Sequence, residues 1–316
     1  MSQRWVMQRA EISVIVNPTA ARGAVGREWP DMRSLLKRQG LALSDRFTEA
    51  PGHATELARQ AAQKGVGTVI AVGGDGTVNE VVNGLLDGAD PARTGPPEVS
   101  LGLISRGTGS DLARSLGLRG FPAAVRALTE RTATRTIDLG EITYGRERRL
   151  RRLFINAAGL GFDGEVVEAL LQRGSKRGGG TIPYLMQVFR SVSHYDTKRV
   201  RASVDGAALP EGHYTAFFAC NGGYFAGGMR IAPKADLGDG LFDVVVIDAL
   251  SRAGLLARLP SVYFGWHGIF PQVHMHKARE LSVDTEDRLL IQADGELVGT
   301  APATMRILPA ALKVRV

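Results

Sequence analysis

Cysteine is almost absent from this 316-residue chain, and its single example, Cys220, cannot form an internal disulfide. Cys220 closes the apolar run from Ala216, so it reads as a small core residue and not as a nucleophile, and a reducing compartment is expected. Uninterrupted apolar runs of about 18 residues are lacking, which excludes a membrane-spanning helix. The opening Met1-Ser2-Gln3-Arg4-Trp5 has no apolar signal core, so the cytoplasm is the expected location. Histidine is scarce and shows no helix-spaced pair; His274-Met275-His276 reads as a strand and not as a zinc site. A Walker A lysine loop is missing, which disfavours a standard P-loop NTPase.

Acidic residues are in the minority, 32 against 39 Lys and Arg, giving a net charge of +7. That balance favours an anionic partner, either nucleotide, nucleic acid or an anionic bilayer. Nucleic acid is the weaker reading, because no aromatic-interleaved binding motif, zinc spacing or recognition helix accompanies the charge. The basic positions cluster at Arg146, Arg148, Arg149, Arg151 and Arg152, at Arg173, Lys176 and Arg177, and at Lys198, Arg199 and Arg201. The first cluster suits a solvated turn as well as an anion contact.

Glycine, by contrast, is abundant and placed with purpose. Gly73-Gly74-Asp75-Gly76-Thr77-Val78-Asn79-Glu80 follows the apolar Thr68 to Val72 and precedes a helical pattern. Such a turn lets backbone N–H groups converge on phosphate at a helix N-terminus. Asp75 would repel a bare phosphate but could hold magnesium beside it. The strand, glycine turn, helix grammar recurs at Arg106-Gly107-Thr108-Gly109-Ser110-Asp111, and a third turn, Asn17-Pro18-Thr19-Ala20-Ala21-Arg22-Gly23, follows Ile12 to Val16. In an open parallel sheet these turns would line one crevice at the strand ends. Asp111 would cap its own helix or join a metal network.

Helical spacing in Trp29, Met32, Leu35 and Leu36, in Leu57, Ala58, Ala61 and Ala62, and in Val81, Val82, Leu85 and Leu86 predicts a helix-covered parallel sheet through about Thr136. Short strand-like segments then dominate, at Arg152 to Ala157, Val200 to Val204, Thr215 to Cys220, Phe242 to Ile247, Glu280 to Val283, Leu289 to Gln292 and Thr304 to Leu308. Two domains are therefore expected, residues 1–138 and residues 139–316. Gly159-Leu160-Gly161-Phe162-Asp163-Gly164 formally matches a dinucleotide fingerprint, but no ribose-binding acid follows at the required distance, so nicotinamide chemistry is rejected.

The order of these turns, with Asn156 to Gly164, Asn221-Gly222-Gly223, Ala232 to Leu241 and Asp294-Gly295-Glu296, resembles the diacylglycerol kinase catalytic family, specifically the soluble bacterial lipid kinases related to sphingosine kinases. Two positions depart from the pattern: the family usually has Asn where Ser110 stands and often Gly where Ala21 stands. The resemblance implies an N-terminal Rossmann-like α/β domain of NAD kinase and phosphofructokinase type, with a C-terminal β-sandwich whose last segment returns to the first domain. It implies an ATP-dependent lipid kinase with Mg2+. Glu296 would be the general base, Asp75 would organise catalytic magnesium, and Asp239 with the backbone carbonyls of Asp236 and Leu241 would hold a structural magnesium. Nucleotide contacts would come from Asn17, Thr48, Gly73, Gly74, Asp75, Gly76, Thr77, Glu80 and Thr108. Thr48 also suits a helix cap before His53.

The expected partner is a lipid at an anionic membrane surface, met reversibly at the inner membrane face, and a homodimer is compatible with the resemblance. Ile182, Leu185, Met186, Val188, Phe189 and Val192 follow helical spacing, and Leu255, Leu256, Leu259, Val262, Tyr263, Phe264, Trp266, Ile269 and Phe270 form a second apolar region. Either suits core packing or an acceptor site.

Overall fold

The computed structural model describes residues 12–87, 96–107, 109–130, 134–147, 149–172, 188 and 190–316. Thr108, Arg148, Arg173, Lys176, Arg177, Ile182, Leu185, Met186 and Phe189 lie outside the described residues.

The apolar runs of the first half become four parallel strands: β1 (Ile12–Val16), β2 (Leu43–Phe47), β3 (Thr68–Gly73) and β4 (Ser100–Ser105), in the order β4-β3-β1-β2. Between them run α1 (Ala24–Arg38), α2 (His53–Gln63) and α3 (Asp75–Leu86), and after β4 come α4 (Asp111–Ser115) and α5 (Phe121–Thr129). Alternation along the strands divides the core in two. Val14, Val16, Ile70 and Val72 meet Trp29, Met32 and Leu36 of α1 with Ala124 and Leu128 of α5. Ile15, Val69 and Ala71 meet Leu57 and Ala61 of α2 with Val78, Val81 and Leu85 of α3. Both faces of the sheet are covered, as a parallel sheet requires.

The second half is built on β5 (Thr134–Tyr144), β6 (Leu150–Phe154), β7 (Ala157–Gly161), β8 (Lys198–Val204), β9 (Ala207–Ala208), β10 (Gly212–Cys220), β11 (Phe242–Asp248), β12 (Val273–Ala278), β13 (Glu280–Asp284), β14 (Leu290–Ala293), β15 (Glu296–Thr300) and β16 (Ala303–Arg315). Helices interrupt it, among them α6 (Phe162–Gln172) and α7 (Arg252–Phe264). One sheet takes β7, β10, β11, β12, β14 and β15, and the other takes β5, β6, β8, β13 and β16; the β8–β10 pairing joins them. Ile142, Phe154, Leu160, Phe217, Phe242 and Met305 fill the space between, with Phe154 and Phe242 stacked at 5.6 Å. Cys220 is fully buried on β10, where burial raises its thiol pKa first and the Asp243 charge adds to it.

Strand β16 pairs antiparallel with β5 along most of its length and parallel with β4 at Lys313 and Val314, which carries the chain end back onto the first sheet. The expected division after residue 138 falls inside β5. The strand expected over Arg152 to Ala157 is broken in two. Asp294 draws the chain away between them, accepting hydrogen bonds from the amides of Ile155 and Asn156 and from that of Ala157 at the start of β7, at 2.7, 2.8 and 3.2 Å.

Candidate active site

The carboxyl ends of the parallel strands converge on one rim. Thr48 N donates to Val16 O, Asn17 N to Val72 O and Arg106 N to Gly73 O, all within 2.9 Å, so the first residue after each strand is stitched to its neighbour. Below the rim, Asn17 Nδ2 donates to Thr77 Oγ1 at 3.0 Å, tying the first turn to the base of α3. A Cβ on Gly73 would stand 2.5 Å from Thr77 Oγ1, and one on Gly107 would stand 3.1 Å from Gly74 Cα. These turns approach each other at backbone contact, and glycine is required for that. Beside them opens a cleft of about 530 Å3 whose lining includes Arg22, Arg106, Arg114 and Arg119. Its size suits a nucleotide-scale ligand and its charge suits an anion.

Asp75 opens α3 with its carboxylate turned towards α4. Its Oδ1 accepts from Asp111 N at 3.0 Å, so Asp75 caps the helix that Asp111 itself was expected to cap. Asp111 reaches the other way, where its Oδ2 accepts from Gly227 N at 2.9 Å on the sandwich side. The two acids and Asp294 crowd one another. Burial, then the charges of Asp111 and Asp294, raise the Asp75 pKa to about 6. Burial raises Asp111 and Asp294 as well, opposed chiefly by the Gly227 amide for Asp111 and the Ile155 amide for Asp294. Asp111 Oδ1 has no hydrogen-bond partner among the described residues. No closed cage of three or more ligand side chains forms among the described residues. A magnesium ion that retains several waters and shares substrate phosphates does not need one, so under-compensated Asp75 and Asp111 fit such an ion.

The opposite wall comes from the β14–β15 hairpin. Asp294 and Gly295 both have positive φ, 48° and 82°, the pattern of a two-residue turn with left-handed centres. Asp294 anchors this turn through the three amides of residues 155–157 and accepts from Asn79 Nδ2 at 2.8 Å. Glu296 is thereby held against the Gly73 to Asp75 turn: its Oε1 lies 3.2 Å from where a Cβ on Gly76 would be. Its Oε2 accepts from Arg152 Nη2 at 2.9 Å, and the same nitrogen donates to Asn79 Oδ1 at 2.8 Å.

Several expected residues are drawn together here: Asn17, Gly73, Gly74, Asp75, Gly76, Thr77 and Glu296. Thr48 stands at the rim through its backbone. Helix α2 is capped by Gly52, so Thr48 does not serve as its cap. Glu80 is directed elsewhere, its Oε2 accepting from Ala54 N at 3.1 Å at the start of α2, where a carboxylate suits the helix dipole. In the sequence Arg152 belongs to a basic cluster that suits a solvated turn as well as an anion contact, and nothing there pairs it with Glu296. Its position on β6, alternating with Arg151, which pairs with Glu141, turns it inward to Glu296.

The Asp239 region is arranged differently. Asp239 Oδ1 accepts from Leu241 N at 3.0 Å, and its Oδ2 pairs with Lys277 Nζ at 2.6 Å; Asp243 pairs with the same ammonium at 2.7 Å. Burial works against the Lys277 charge, but Asp239 and Asp243 outweigh it and raise the pKa. Asp236 Oδ1 is taken by Arg135 and by Gly238 N. Both Asp239 oxygens are engaged within the chain, so the structural magnesium that the resemblance implies at Asp239 and the backbone carbonyls of Asp236 and Leu241 would have to share that carboxylate with Lys277. The segment is tied down by buried Asp138, which accepts from Gly240 N and Ala310 N, each at 2.7 Å.

The dinucleotide-like glycines serve packing. Strand β7 lies antiparallel between β10 and β14, a Cβ on Gly159 would strike the Asp163 carboxylate, and one on Gly164 would strike Leu290. Asp163 is itself noteworthy. It borders an apolar cavity of about 70 Å3 walled by Phe162, Val166, Phe218, Leu255, Leu259 and Val262, and burial raises its pKa to about 7. Neither carboxyl oxygen has a partner of normal hydrogen-bond geometry among the described residues, although the Gln292 side chain faces it. The sequence signal was Asp163 inside an apolar strand-to-helix junction.

Glycine turns over parallel strand ends, faced by a sandwich hairpin, define a nucleotide-using enzyme of NAD kinase-like architecture. The solved NAD kinase from Archaeoglobus fulgidus in complex with ATP shares the fold, with a TM-score of 0.50 at 13% identity over 96% of this chain and 93% of that one. A crystal structure of a diacylglycerol kinase from Bacillus anthracis aligns with a TM-score of 0.75 at 23% identity, covering 97% and 96% of the two chains. Residues 11–142 match the diacylglycerol kinase catalytic domain, and residues 156–316 match the YegS C-terminal NAD kinase beta sandwich-like domain. Proteins named diacylglycerol kinase from Staphylococcus saprophyticus and Staphylococcus aureus are each 29% identical over 93% of this chain, covering 91% and 89% of their own lengths. The chain belongs to the diacylglycerol kinase catalytic family, and its class is that of an ATP-dependent lipid kinase.

Proposed function

We propose that this lipid kinase transfers the γ-phosphoryl group of ATP to the free hydroxyl of diacylglycerol or a closely related lipid, with residues 1–138 holding the nucleotide and residues 139–316 the lipid. The observation that carries this reading is the approach of Glu296 to the Gly76 backbone, which brings a carboxylate from the sandwich onto a phosphate-type turn. In-line transfer requires a phosphate cradle, charge neutralisation and a proton acceptor beside the attacking oxygen. Asn17, Gly73, Gly74, Gly76 and Thr77 form the cradle, with Thr48 at the nucleotide rim. Thr108 lies outside the described residues and is retained from the resemblance, as is Glu80, whose carboxylate is engaged at α2.

Asp75 and Asp111 would hold magnesium, which when bound neutralises phosphate charge. Glu296 accepts the proton of the lipid hydroxyl as the phosphorus–oxygen bond forms, and the leaving group is ADP. Arg152 and Asn79 orient Glu296 from behind, fixing its Oε2 and leaving Oε1 towards the glycine turn. On the lipid side, the apolar walls beside Asp163 match the chemistry of an acyl chain, and the space they enclose, about 70 Å3, holds only its first few carbons. Gln292 faces Asp163 and accepts from Gly295 N at 2.9 Å, so the cavity's polar end adjoins the hairpin that bears Glu296.

Radiolabelled ATP incubated with the protein and a panel of diacylglycerol, monoacylglycerol, ceramide, sphingoid base and phosphatidylglycerol in mixed micelles tests the reading. Labelled phospholipid is expected. Label confined to a water-soluble product would instead support a soluble-substrate kinase of the same architecture.

A further inference from the structure

Leu255, Leu256, Leu259, Val262 and Tyr263 of α7 pack against the interior, but four large apolar side chains at its end and beyond do not. Phe264, Trp266, Ile269 and Met275 are 59, 64, 76 and 43% exposed. They form one patch. Phe264 and Trp266 stack at 5.2 Å between ring centres, and Met275 Sδ lies 3.3 Å from where a Cβ on Gly268 would stand, next to Ile269. The chain is forced into this shape. Helix α7 ends at Gly265, whose φ of 73° turns the backbone, and Trp266 N returns to Ser261 O at 2.9 Å. Buried His267 then donates from Nε2 to Ile231 O at 2.9 Å, which pins the following turn. The rings on either side of Gly265 are therefore held outward on a fixed base.

We propose that this patch is the face on which the enzyme docks to an anionic lipid bilayer, next to the apolar cavity that Asp163 borders. The inference rests on the lipid kinase reading and adds where the membrane is met. Three observations select a bilayer. The patch is continuous with the cavity: α7 gives Leu259 and Val262 to the cavity wall and Phe264 to the surface, and β12 gives Val273 to the wall and Met275 to the surface. Its rim is basic, since Arg230 and Lys234 are exposed and have no ion pair among the described residues, and Arg230 Cβ lies 3.4 Å from a Cβ placed on Gly265. Its composition, a stacked Phe and Trp with aliphatic neighbours beside cations, is that of an interfacial anchor. No helix among the described residues is long and apolar enough to cross a membrane, so the contact is a surface one.

The full-length protein with Trp5→Phe, mixed with phosphatidylglycerol vesicles carrying brominated acyl chains, tests the proposal, because Trp29 is buried and Trp266 then reports the contact. Quenching and a blue shift of the exposed emission are expected. Phe264→Ser with Ile269→Ser should weaken vesicle binding by about tenfold or more and lower turnover on vesicles, while the melting temperature and turnover in detergent micelles stay unchanged. Arg230→Gln with Lys234→Gln should reduce binding to anionic vesicles and leave neutral ones unaffected. Bound protein with unquenched Trp266, or a double serine variant that binds vesicles equally well, would overturn the proposal. So would a concentration-dependent dimer in sedimentation that the serine variant abolishes, which would make the patch a contact between copies. Absence of lipid phosphorylation even in micelles would instead defeat the lipid kinase reading, whatever the quenching shows.

Discussion

The Asp239 and Asp75 clusters handle charge in opposite ways. Asp239 and Asp243 share the Lys277 ammonium, so their negative charge is met by the chain itself. Asp75, Asp111 and Asp294 are more deeply placed and receive mainly backbone amides, with Asn79 on Asp294 and Arg114 at a distant 4.0 Å from Asp111. The difference appears in the pKa of Asp75, pushed up to about 6 by burial and by its acidic neighbours. A site that completes its own charge serves the fold. One that leaves charge unmatched at the end of a phosphate-type turn would suit a cation delivered with its ligand, as proposed above.

The largest expected effect lies at the wall facing the unmatched cluster. Glu296→Gln should preserve the fold and ATP binding while lowering phosphoryl transfer by ~10²–10⁴-fold. Single-turnover assays alongside ATP titration check this, and near-wild-type turnover would remove Glu296 from the role of base. Arg152→Ala should cost less, about tenfold or more in turnover with little change in ATP affinity, because it orients Glu296 without touching phosphate.

The pH dependence sharpens the comparison further. Asp75 has a folded pKa of about 6, above its ordinary value of 3.8, so its contribution to stability is fully present below about pH 4 and lost as pH rises through about 6. This group alone should lower stability by on the order of 2–3 kcal/mol across that window. Asp75→Asn should flatten the slope in pH-dependent denaturant unfolding. Magnesium-dependent nucleotide binding should run the opposite way and weaken by about tenfold per pH unit below about 6. At the self-compensated cluster, Lys277→Met should cost about 1–2 kcal/mol, discounted for partial exposure, and should make the melting temperature rise with added magnesium.

Much of the architecture was legible in residue spacing, because the period of the α1, α2 and α3 stripes and the apolar runs of β1, β3 and β4 are set by burial on both faces of one sheet. The three turns were legible because phosphate-type loops have few chemical solutions. What escaped was carried by contacts far apart in the chain. Asp294 breaks the strand around Ile155 from 139 positions away, and Arg152 reaches Glu296 across 144. Lys277 could not be assigned to Asp239 before β11 and β12 were paired, since Asp243 lies opposite Lys277 in that register.

The two departures from the family pattern also acquire a cause. Ala21 and Ser110 both have left-handed backbones, φ 50° and 51°, where Gly and Asn are the residues that tolerate positive φ. Ser105 Oγ donates to Ser110 Oγ at 2.8 Å, and Ser110 Oγ donates to Gly107 O, which steadies that turn. The smallest expected effect is therefore a gain of about 1 kcal/mol or less from Ala21→Gly or Ser110→Asn in thermal unfolding.

The measurement closest to the central claim is a set of melts on chelator-treated protein titrated with magnesium, ATP and both together, for wild type and Asp75→Asn. Chelation should leave the wild-type melting temperature unchanged, magnesium with ATP should raise it, and Asp75→Asn should abolish most of that rise. A wild-type protein destabilised by chelation, or an Asp75→Asn protein stabilised by magnesium and ATP as fully as wild type, would contradict the assignment of the exchangeable cation to Asp75 and the self-sufficient one to Lys277.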